Sequence, residues 1–104
     1  MDSAKAKEKI KKLEEKKKTG KIVAFLKSKE TDVVCAAIEA MGNIGDEDSV
    51  NKLTGYLDHE NAEVRISAGK ALWKTGSEYA KTQVTYQLTK EKDPKVVEAI
   101  HSAM

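Results

Sequence analysis

The stretch Val33-Val34-Cys35-Ala36-Ala37-Ile38-Glu39-Ala40-Met41-Gly42-Asn43-Ile44-Gly45 decides how the rest of the 104-residue chain is read. Val33, Ala37, Ala40, Met41 and Ile44 fall at i, i+4, i+7, i+8 and i+11, which is one face of a helix with 3.6 residues per turn. The small side chains of Ala36, Ala37 and Ala40 let a neighbouring helix approach closely. Thirty-one residues later the pattern returns as Val64-Arg65-Ile66-Ser67-Ala68-Gly69-Lys70-Ala71-Leu72-Trp73-Lys74-Thr75-Gly76. A third copy begins at Val96, 32 residues further on, setting Ile100 under Ala68, Ala103 under Ala71 and Met104 under Leu72.

Each copy is preceded by a second apolar pair at the same spacing: Ile22 and Leu26, then Leu53 and Leu57, then Val84 and Leu88. The unit is therefore two helices joined by a short polar stretch, repeated about three times. Local punctuation agrees with this. Asp93-Pro94 and Asn61 stand where second helices begin. Ser49 and Ser77 are the candidate caps of the first helices in the second and third units, and Gly45 and Gly76 stand where helices end. A further helix over about Ser3 to Lys18, with the narrow stripe Ala6, Ile10 and Leu13 and Gly20 as its stop, reads as the N-terminal cap of a stacked array. The expected division is one domain: an N-terminal helix (1–19) and repeats over 20–45, 46–76 and 77–104, the last incomplete.

The segment Val33 through Asp46, read as Val-x-x-x-Ala-x-x-Ala-Met-Gly-x-Ile-Gly-Asp, closely resembles the second helix of HEAT repeats. It looks most like the short HEAT-like class of phycobilisome (bilin) lyases, and Asp58 through Arg65 is similar to that class's inter-helix turn. The second unit departs from the pattern at Gly69 and Trp73. The resemblance implies an all-α fold, a right-handed α-α superhelix whose second helices line a concave face. It also implies a protein-binding role. A bilin lyase-like activity on a tetrapyrrole or its carrier protein is the alternative that the same resemblance brings.

Chemistry-bearing motifs are sparse. HEAT-like deoxyhypusine hydroxylases use several His-Glu pairs as iron ligands, whereas this chain has the single dipeptide His59-Glu60, placed before Val64-Arg65 instead of after it. No metal is expected there, since an iron site needs several convergent ligands. A calcium loop beginning at Asp46 would need glutamate at its twelfth place, where Leu57 stands. Cys35 has no histidine near it in the repeat register and reads as a half-buried helix residue. Gly42 and Gly45 are helix-end glycines and not a phosphate-binding turn. The expectation is a chain with no catalytic residue and no cofactor.

Charge divides the chain. Lys and Arg number 19 against 17 Asp and Glu, and the excess of lysine lies within the first 30 residues. A basic first helix could attract nucleic acid. The absence of arginine and aromatic residues there makes a solvated Lys/Glu helix the better reading, so nucleic acid is not the expected partner. The longest apolar run, Val33 to Ile38, is far shorter than the ~20 residues a membrane span needs. Met1 to Ile10 contains no apolar signal core, so a cytoplasmic chain is expected.

Helical angles then nominate a contact surface. The side of each second helix opposite its core stripe carries Cys35, Glu39, Gly42 and Asn43 in the first unit and Ile66, Lys70, Trp73 and Lys74 in the second, with Arg65 and Val34 at the edge. Trp73, Ile66, Lys70, Arg65, Lys74 and Glu39 form the candidate partner-binding set, because Trp and Arg are enriched at binding hot spots. Trp73 either projects from that face or folds over a neighbour to fill the space left by Gly42 or Gly69. A second expectation concerns Val97, Ile100 and Met104, an apolar row with no following unit in the sequence to cover it, through which a homo-oligomer would form.

Overall fold

Most helix starts in this chain are fixed by short polar side chains, as a computed structural model of the protein, which describes residues 2–104, makes explicit. Seven α-helices follow in order: α1 (Ser3–Glu15), α2 (Thr19–Ile22), α3 (Thr31–Ile44), α4 (Glu47–Thr54), α5 (Ala62–Thr75), α6 (Glu78–Lys90) and α7 (Pro94–Ser102). A 3-10 segment, Val23–Lys27, extends α2, and the described residues contain no strand. Asp2, Asp46, Asn61, Ser77 and Asp93 each accept a hydrogen bond from a backbone N–H of the first turn they precede, which satisfies one of the donors a helix start leaves open.

Two of the expected boundary residues are corrected. The cap of α4 is Asp46, whose Oδ1 accepts from the Ser49 N–H at 2.9 Å, while Ser49 itself sits one turn inside and is fully buried. Asp46 also accepts from the Thr19 hydroxyl at 2.8 Å, tying α4 to the start of α2. Partial burial pushes the Asp46 carboxyl up, and the hydrogen bonds from Ser49 and Thr19 more than reverse this, leaving it below the ordinary value. The stop of α1 is Lys17 and not Gly20, which lies within α2. Lys17 has φ +55°, and the Lys17 and Lys18 N–H groups donate to the Glu14 and Leu13 carbonyls at 2.9 Å, closing a Schellman turn around a residue type that fits it poorly. Replacing Lys17 with glycine should stabilise the protein by about 0.5–1 kcal/mol, because the left-handed penalty of a side-chain-bearing residue is removed. Urea unfolding monitored by circular dichroism would register it as a raised midpoint at unchanged slope.

The hairpins stack in sequence, α2/α3, α4/α5 and α6/α7, with α3 against α5 as the broadest contact in the molecule. α3, α5 and α7 run parallel and form one layer. α1 joins that layer instead of merely covering an end: Ser3 and Lys7 meet Asp32, and Asn43 meets Glu14, so α1 lies parallel to α3 as the second helix of a preceding unit would. Between the layers the apolar stripes close into one core, in which Ile22, Ile38, Met41, Leu53, Val64, Leu72, Val84, Val96 and Ile100 are almost fully shielded. Each such side chain contributes about 1.5–3 kcal/mol by leaving water.

Two glycines set the helix spacing. A Cβ on Gly42 would stand 2.7 Å from Ala71 Cβ, and one on Gly69 would stand 2.6 Å from Ile100 Cδ1. Gly42 is therefore buried against α5 and does not belong to the open side of α3. Ile100 fills the gap over Gly69 and is buried, so it is not available to a second chain, and Val97 is half-buried. Of the expected oligomer row only Met104 is exposed. The apolar side of α7 turns back onto α5, leaving Glu98, His101 and Ser102 on its outer edge. No helix among the described residues is long and apolar enough to cross a membrane.

Candidate functional site

On the parallel layer, the sides of α1, α3 and α5 that face away from the core leave a continuous groove. Between α3 and α5 it encloses about 410 Å³, lined by Glu39, Glu63, Ile66, Ser67, Lys70 and Lys74. Toward the N-terminal ends of these helices it widens to about 580 Å³, bounded by Lys7, Asp32, Cys35 and Glu63. A third section of about 290 Å³ runs between α1 and α3, along Lys7, Lys11 and Asn43. Glu39 borders all three sections and stands at the middle of the surface.

The charge of the groove is ordered. Lys70 and Lys74 occupy one end of α5, Glu39 and Glu63 the centre, and Lys7 and Lys11 the side of α1. Lys7 is committed to Asp32 at 2.9 Å, and its ammonium holds the Asp32 carboxyl below the usual carboxylate value. Among the described residues, Glu39, Glu63, Lys70 and Lys74 make no ion pair within 4.0 Å. Ile66 supplies a half-buried apolar floor, and the thiol of Cys35 points to the Glu63 carbonyl at 3.7 Å. The groove therefore offers charged side chains free to pair, around an apolar strip.

Four of the six residues nominated from the sequence, Glu39, Ile66, Lys70 and Lys74, meet in this groove. Trp73 and Arg65 do not. Trp73 is half-buried against the core, with the Lys81 ammonium of α6 5.2 Å from its ring centroid, so it packs toward the first helix of the next hairpin. Arg65 is a structural clamp. Its Nε donates to Glu91 Oε1 at 2.9 Å and its Nη2 to Glu91 Oε2 at 3.2 Å, while Nη1 donates to the carbonyls of His59 and Glu60. Four bonds consumed within the fold leave little of this guanidinium for a partner. Glu63, Ser67, Lys7 and Lys11 are the groove residues that the sequence reading passed over. The signal for the lysines was present: Ala6, Ile10 and Leu13 stand 31 residues before Ala37, Met41 and Ile44, which marks α1 as a further second helix.

The family model for HEAT repeats matches residues 19–104, the whole span of stacked hairpins. The chain belongs to the HEAT-repeat family. HEAT repeats generally mediate protein–protein interaction, and in this HEAT-repeat chain the groove is built from the helices that the repeat pattern places in one layer. No curated protein and no solved structure matches the chain.

Proposed function

We propose that this HEAT-repeat chain is a non-catalytic protein-binding module whose partner seats in the groove of α1, α3 and α5, the face that would be concave in the superhelix. The observation that carries the reading is the convergence of Ile66, Lys70, Lys74 and Glu39 around one recess, with the charged members in no ion pair among the described residues. A partner that supplies opposite charges satisfies these groups on docking, and burying Ile66 at the centre adds affinity that the polar rim alone does not.

The test is a comparative capture from lysate of the source cell, read by quantitative mass spectrometry. Lys70→Glu with Lys74→Glu should lower the recovery of a specific partner by about tenfold or more, the factor that corresponds to about 1.4 kcal/mol. Lys52→Glu, on the exposed side of α4, should leave recovery unchanged. Equal loss in both variants, or no loss in the first, would remove the groove from the reading.

A further inference from the structure

The outward face of α6 differs from every other exposed helix face in the chain. Between Lys81 and Lys90 runs a stretch of eight uncharged residues, Thr82 through Thr89, in a protein whose composition is 35% charged. Tyr79, Thr82, Tyr86 and Thr89 recur at i, i+3, i+7 and i+10, which gathers them on one stripe of the helix. Tyr79 is 53% and Tyr86 59% exposed, the largest exposed aromatic surface in the chain. The hydroxyls along the helix are turned inward: Thr82 donates to the Glu78 carbonyl at 2.9 Å, Thr85 to Lys81 at 2.9 Å and Thr89 to Tyr86 at 2.6 Å. With its hydroxyl already satisfied by α6, each threonine presents a methyl group, and the stripe is apolar apart from the tyrosine hydroxyls and the Lys90 ammonium, which lies 4.8 Å from the Tyr86 ring centroid.

From this geometry we infer that α6 is a self-association surface, and that its occupant is α6 of a second copy running antiparallel. The order of sizes along the stripe argues for a copy. Reversing the sequence about its middle sets Tyr79 against Thr89 and Thr82 against Tyr86 of the partner helix, ring against methyl at every layer, as antiparallel knobs-into-holes packing requires. Charge selects the same direction. Glu78 opens the helix and Lys90, whose ammonium also stands 3.7 Å from Asp58 at an exposed pair, closes it, so an antiparallel pair brings ends of opposite sign to the same level, whereas a parallel pair would stack Glu78 on Glu78 and Lys90 on Lys90. A two-fold axis of this kind uses one patch on both molecules and closes at the dimer. The patch lies on the first-helix layer, so the dimer leaves the groove of α1, α3 and α5 open. A single helix of 13 residues is about 20 Å long, well below the footprint of a permanent interface, so the association is weak and reversible.

Sedimentation velocity from about 10 μM to about 2 mM tests it, the upper end being where an interface of this size populates the dimer. The weight-average mass should rise toward twice the chain mass, and amide chemical shifts over the same dilution series should move along α6. Thr82→Glu and Tyr86→Glu, both at exposed positions, should each hold the protein monomeric at the highest concentration while retaining the helical circular dichroism and thermal melt of the parent. A monomer throughout the range overturns the inference. So do concentration-dependent shifts confined to α7 and Met104, and a dimer that Thr82→Glu leaves untouched.

Discussion

Removing the Glu91 side chain should cost about 3–5 kcal/mol, the loss that follows when one member of a shielded ion pair is deleted and the other is left without its counter-charge. The pair is shielded on both sides: the side chains of Arg65 and Glu91 are only 18% and 5% exposed. Glu91→Ala strands the guanidinium, which then retains only the His59 and Glu60 carbonyls, and it also withdraws the acceptor of the Asp93 N–H. Since Arg65 stands in the second hairpin and Glu91 between the helices of the third, the effect is a loosened junction between hairpins. Replacing both partners together, as Arg65→Met with Glu91→Leu, should recover much of the loss, because two apolar side chains of similar volume carry no desolvation cost. Urea unfolding of Arg65→Met, Glu91→Leu and the double gives the coupling directly. Additive single effects would mean that the two side chains act independently and that the clamp is not one.

The second large effect concerns the α3–α5 contact. A methyl group on Gly42 meets Ala71 Cβ at 2.7 Å and Ala71 Cα at 2.9 Å. Neither atom can move without moving α5. Gly42→Ala should therefore destabilise by about 1–2 kcal/mol net, the overpacking cost of up to about 3 kcal/mol less about 1 kcal/mol recovered from alanine's better helix propensity. Gly42→Leu should cost about 3 kcal/mol or more, at the upper end of that range, because the helices must part further. Gly69→Ala supplies the contrast. Its new methyl meets the far end of the Ile100 side chain, at 2.6 Å from Cδ1 and 2.9 Å from Cγ1, and a rotamer change of Ile100 relieves the clash. That variant should lie within about 1 kcal/mol of the parent, since the same gain in propensity offsets the repacking. Thermal melts that rank Gly69→Ala below Gly42→Ala would contradict the assignment of a rigid contact at Gly42.

Much of the fold was legible because the repeat was written in residues that all do the same work. Val33, Val64 and Val96 are each buried near the start of their helices, and Ala37 and Ala68 are both fully shielded in the core. The capping residues Asn61, Ser77 and Asp93 act where they were expected. The surface was harder to read. Periodicity gives the angle of a side chain about its own helix axis and says nothing of which neighbour stands at that angle. Trp73 lies opposite the core stripe of α5, yet α6 begins close enough for Lys81 to lie over the ring. Arg65 sits at the edge of its helix, where only the packed chain reveals Glu91 from the next hairpin within reach. Ser49 lost the capping position to Asp46 because the acid stands three residues earlier and its side chain is the right length to return to the Ser49 N–H. Ile100 follows the same logic: the sequence shows an apolar residue near the chain end, and only Gly69 opposite explains why it turns inward.

The unequal breadth of the contacts within the parallel layer has a dynamic consequence. α5 meets α6 and α7 each over a smaller area than it meets α3, and beyond these contacts the last hairpin is held by the Arg65 clamp and a slight contact between α4 and α6. Stacks in which each unit touches only its neighbours come apart unit by unit. The hairpin of α6 and α7 is the piece that peels away at least expense, and its amide protons exchange with solvent ahead of those in α3 and α5. Such an excursion bares Gly69, over which Ile100 packs, for the lifetime of the opening, and it leaves the α1–α5 platform folded beneath.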